Sequence, residues 1–211
     1  AAPDFDRPLL EMYRGVTDPE AATDRTLVSF AESSTPEFVL ERIQEAIRDG
    51  AMFTDFDGIP SDRLFDLREQ MAESLTVDDG FTMDSIADSL LEFSDALDRD
   101  DAERIARTES SAILNRAREI GYEEQGAGDR TFYWTGAEPG DERQTDACEW
   151  LIRETNPFHG GDPVPMDELR DLVAEAPEHD DDMRDDLARP DSWIIHPNER
   201  STFALAPEAG I

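Results

Sequence analysis

From about residue 101 to 120 the chain repeats on a helical period, and one position of that repeat carries a carboxylate where an apolar side chain belongs. Ile105, Ile113, Ala117 and Ile120 mark a single stripe, and Glu109 falls in the middle of it. Asp100 and Glu103 have the spacing of a capping box, and Gly121 stands where a C-terminal glycine belongs, so this is predicted to be the longest helix. Burying an unpaired carboxylate is costly, so Glu109 must meet arginine or backbone N–H donors. With no second acid, nucleophile or metal ligand at a recognisable spacing, Glu109 is expected to be a structural hub rather than a catalytic acid. An arginine such as Arg143 would tie the helix to a neighbouring loop.

Shorter elements flank this helix. Residues 1–26 carry Pro3, Pro8, Gly15 and Pro19 and little periodicity, and are expected to form an extended arm with one short helix. Pro36 opens a helix to Gly50 with Leu40, Ile43 and Ile47 inward. The loop 54–60 breaks it, and a second helix follows Ser61 with Leu64, Leu67, Met71 and Leu75 on one face. Thr82 caps a third, with Ile86, Leu90, Phe93 and Leu97 inward. After the long helix, 130–135 is rich in aromatic and β-branched residues and predicts a strand. A helix over Asp141–Glu154 would bury Ala147, Cys148, Leu151 and Ile152, and the loop 156–163 is expected to be irregular. A further helix runs from Pro165 to about Ala176, and 180–186 is a solvated acidic run. Ser192–His196 and Ser201–Ala206 are expected to pair as a terminal hairpin. The expected class is α+β, mainly helical: a helical N-terminal region over 1–80, then a long-helix domain with a small antiparallel sheet over 81–211.

Charge sets the conditions under which such a chain folds. Fifty-two acidic residues face 19 basic ones, every one an arginine, for a net charge of −33. Self-repulsion on that scale destabilises a compact state in ordinary buffer. In molar salt the Debye length shrinks to about 3 Å and the repulsion is largely screened. Arginine keeps its charge and forms forked carboxylate pairs, whereas lysine is a strongly hydrated point charge. Complete lysine loss with acid excess points to adaptation to concentrated salt. A disordered acidic tail is not the alternative, because 38% hydrophobic residues, 11 Phe and 3 Trp suffice for a core. The same charge repels phosphate backbones, so sequence-specific nucleic-acid binding is not expected. No apolar run in the sequence approaches a membrane span.

Individual reactive side chains point to no catalytic constellation. Cys148 is the single cysteine and reads as a small core residue on an amphipathic helix. His159, His179 and His196 are widely spaced and form no two-histidine helix motif. Neither a phosphate-cradling glycine loop nor a nucleophile elbow is present. No metal and no cofactor are expected. Phe132, Tyr133 and Trp134 are expected in the core rather than as a stacking platform for bases.

The series Ile105-Ala106-Arg107-Thr108-Glu109, Ala112, Asn115, Ala117-Arg118 and Tyr122 is followed by Trp134, Arg143, Cys148 and His196-Pro197-Asn198-Glu199-Arg200-Ser201. This ordered series resembles the phage Mu F-like head morphogenesis family over roughly residues 81–206. The family pattern ends in His-Pro-x-Cys-Arg-Cys; here Glu199 and Ser201 replace both cysteines, removing any metal or sulfur cross-link from that motif. The resemblance implies a minor capsid protein of a haloarchaeal tailed virus, held at the portal or inner head in many symmetric copies after assembly in the host cytoplasm. Its implied partners are portal or major capsid protein, with contact to packaged DNA left open and no membrane. Arg107, Thr108, Glu109, Asn115, Arg143, His196 and Arg200 would form a structural polar cluster pinning the terminal hairpin to the long helix. The competing expectations are a halophilic metal-assisted hydrolase using the three histidines and the aspartate run, and a cytosolic helical adaptor.

Overall fold

The computed structural model describes residues 37–50, 53, 61–75, 83–94, 97–124, 126–136, 145–183, 188–196 and 201–207. The expected N-terminal arm, the 54–60 loop and the Thr82 cap lie outside the described residues. In chain order the elements are α1 (Glu37–Arg48), α2 (Ser61–Ser74), α3 (Met83–Phe93), α4 (Arg99–Glu124), β1 (Thr131–Thr135), α5 (Asp146–Thr155), β2 (Val164–Pro165), α6 (Met166–Glu175) and β3 (Thr202–Leu205). The class is α+β, mainly helical, with one small antiparallel sheet. Two compact units, Ala1–Arg118 and Glu119–Ile211, divide within α4.

In the first unit most residues of the predicted stripes are buried, although Ile105 of α4 is only half-buried. Leu40, Ile43 and Ile47 of α1, Leu64, Leu67 and Met71 of α2 with Leu75 just beyond it, and Ile86 and Leu90 of α3 are all in the core. Phe93 and Leu97 are only half-buried, because α3 stops at Phe93 and Leu97 falls off its period. The Arg63 guanidinium covers the Phe93 ring at 5.5 Å from its centroid.

The start and end of α4 differ from the expected ones. The N-cap is Asp98, whose Oδ1 accepts the Asp101 N–H at 2.9 Å and whose carbonyl accepts that of Ala102 at 3.0 Å. Glu103 is drawn instead to Arg99 (2.7 Å), which also holds Asp84 (2.9 Å) and Asp88. Hydrogen bonds to Glu103 and Asp88 push the Arg99 pKa above its ordinary value. The cluster is solvent-exposed, so it contributes little to stability. At the other end α4 runs through Gly121 to Glu124, and the left-handed glycine beyond it is Gly126 at φ 70°. A mid-helix glycine costs about 1 kcal/mol. Continuing the helix buries Tyr122 against Phe132 (5.2 Å between centroids) and Phe203 (6.0 Å), which outweighs that cost.

In the second unit the sheet order is β2-β1-β3, with β1 central. Strand alternation buries Phe132 and Trp134 and turns Thr131, Tyr133 and Thr135 outward. Trp134 lies opposite Phe203, while β2 reaches only Thr131 and Phe132. Beyond the end of β2, side chains finish the edge. Thr155 Oγ1 accepts the Trp134 N–H at 2.9 Å and donates to Leu151 O at 2.8 Å, and Asn156 Nδ2 donates to Trp134 O at 2.9 Å. Two side chains thus stand in for a strand.

Three expected elements change. Helix α5 starts at Asp146, because Thr145 Oγ1 takes the Cys148 N–H at 3.3 Å and caps it there. The loop after α5 is not irregular throughout, since Pro157–His159 forms a turn of 3₁₀ helix capped by the Asn156 side chain. The terminal hairpin does not form. Thr202–Leu205 pairs with β1, while Pro190–Ser192 is a 3₁₀ turn and Ile194 bridges Arg189. Trp193 at φ 58° is the physical reason: a residue in the left-handed region turns the chain and cannot lie in a strand.

Candidate functional site

Among the described residues, the two non-glycine residues at positive φ are Phe53 (φ 53°) and Trp193 (φ 58°). Both are fully buried aromatics, and each is tethered by a buried glutamate of α4. A left-handed conformation costs roughly 1–2 kcal/mol for a residue with a Cβ, so each needs surroundings that over-determine it.

In the first unit, Glu109 is 1% exposed and its Oε2 accepts the Phe53 backbone N–H at 2.8 Å. The Phe53 carbonyl is held from the other side by Arg68, through Nε at 3.0 Å and Nη2 at 2.6 Å. An acid and a guanidinium therefore grip the two backbone polar groups of one peptide segment, and both bonds are charge-assisted. Gly50 permits the approach: at φ 84°, any Cβ there would sit 3.0 Å from the Arg68 guanidinium. We expect Glu109→Gln, which keeps an acceptor, to cost little, and Glu109→Ala to lose about 1–3 kcal/mol in urea unfolding at molar salt. Equal losses for the two variants would rule out the tether as the reason for the carboxylate.

In the second unit, Glu119 is 2% exposed and divides its two oxygens. Oε1 pairs with Arg170 Nη2 of α6, and Oε2 accepts the Trp193 indole N–H at 2.9 Å. The Arg170 guanidinium also lies over the Trp193 ring, 5.0 Å from its centroid, in cation–π geometry. Trp193 packs in turn on Phe203 of β3 at 4.3 Å. Helix α4, helix α6, the 190–196 segment and the sheet thus converge on a single carboxylate.

A third polar contact joins α5 to the same C-terminal segment. Cys148 Sγ lies 3.3 Å from His196 Nε2, and the Ser201 hydroxyl donates to the same sulfur at 3.9 Å. Cys148 is buried and His196 half-buried. A thiol so enclosed acts as a packed side chain with a weak polar bond rather than as an open nucleophile.

Among the described residues, the expected cluster residues make the following contacts. Thr108 donates its hydroxyl to Arg104 O at 3.0 Å, and Asn115 Oδ1 accepts from Arg118 at 3.3 Å, both within α4. Arg107 is half-buried on the same helix. Glu109 meets Phe53, and His196 meets Cys148. Arg143 and Arg200 lie outside the described residues. Sequence reasoning missed Glu119, Arg170 and Trp193. A usable signal was present: Thr108, Ala112, Asn115, Glu119 and Tyr122 form a second 3–4 stripe on α4, and all five are buried. A helix with two buried stripes is central to its fold, and its second carboxylate needs a partner as much as its first.

The remaining histidines do not converge. His179 stacks on Trp150 at 3.8 Å and lies 3.5 Å from Glu175, while His159 is exposed on the loop after α5. Among the described residues, no group of three or more His, Cys, Asp or Glu side chains is placed to hold a metal ion, and no helix is long and apolar enough to cross a membrane. Comparison with protein-family models, with curated proteins and with solved structures finds no match.

Proposed function

We propose that this chain is a minor structural protein of the head of a halophilic tailed virus, acting by binding rather than turnover, with portal or major capsid protein as its partner. The observation that carries this is the meeting of Cys148, His196 and Ser201. In the resemblance to Mu F-like head proteins, the cysteine helix and the terminal His-Pro motif are separate elements of an ordered series. Here they touch across 48 residues of chain, and Ser201 occupies the place of a motif cysteine against Cys148. The buried glutamates support a rigid scaffold: both carboxylates are consumed by structural donors, one of them an arginine salt bridge. Mass spectrometry of gradient-purified particles from a haloarchaeal culture producing the protein tests the proposal. The chain is expected to co-purify with capsids at constant stoichiometry and to stay with the shell after DNA release. Recovery only in the soluble host fraction would rule it out.

A further inference from the structure

We draw no further inference here: the strongest candidate, the exposed Phe158 ring braced edge-on by Tyr133 on the loop after α5, is an unpartnered apolar face, and nothing in the structure shows what covers it.

Discussion

Moving the protein from molar KCl into dilute buffer is expected to remove most of its helical circular dichroism. The cause is the density of like charge. With 52 acidic residues against 19 arginines, few carboxylates have a cation to themselves. The Arg99 cluster shows the ratio locally, with one guanidinium serving Asp84, Asp88 and Glu103. The Debye length grows from about 3 Å at 1 M to about 10 Å at 0.1 M and 30 Å at 0.01 M. Over that range carboxylates that were screened from one another come to interact across the whole molecule. Folded domains are stable by only about 5–15 kcal/mol, so a few tenths of a kcal/mol of repulsion for each of several dozen pairs suffices to unfold one. A KCl titration followed at a far-ultraviolet wavelength reads this directly. Full helicity retained in dilute buffer would show that something other than screening holds the chain together.

Glu119→Ala is expected to be the most damaging single substitution outside the apolar core. It strands the Trp193 indole N–H in a buried site and leaves Arg170 over the ring without its carboxylate. Removing one partner of a buried pair costs roughly 3–5 kcal/mol. The Arg170 side chain is 33% exposed, which places the expected loss at the lower end of that range. Glu119→Gln keeps an acceptor for Trp193 and should lose about half as much, roughly 1.5 kcal/mol by the scale for hydrogen bonds to charged groups. The residual effect of Glu119→Gln should vanish when Arg170 is also replaced by Gln, as a coupled pair requires. Urea midpoints in molar salt give all three values. Full additivity of the two substitutions would mean that the pair is not coupled. On a smaller scale, Gly161→Ala should cost about 1–3 kcal/mol by overpacking, because the new methyl meets the backbone of α5 rather than a flexible side chain.

The helical half of the molecule was legible because its period is strong. Stripes such as Ile43 and Ile47, or Leu64, Leu67 and Met71, bury one face wherever they fold, so each predicts its own helix without knowing its neighbours. The ends were less legible. Asp100 and Glu103 match a capping box, yet Asp98 caps α4 because Arg99 takes Glu103 away, and Gly121 is overridden by the burial of Tyr122. These outcomes depend on residues far along the chain, and local spacing carries no information about them.

The same division holds for the buried carboxylates. Sequence alone determined that Glu109 would be buried and would need donors, since a 3.6-residue period leaves that position nowhere else to face. Its acid excess and all-arginine basic set also carry the expectation, tested by the KCl titration, that the fold depends on screening. Only the tertiary structure decided that Glu109 would hold the Phe53 backbone, and that Glu119 would gather Arg170 and Trp193. Only the tertiary structure, too, turned an expected hairpin into a strand beside β1 and a left-handed turn at Trp193. The physical reason is common to all of them. Burial is set by a residue's place in a local repeat, whereas the choice of partner is settled by which distant groups the packed core brings within about 3 Å of each other.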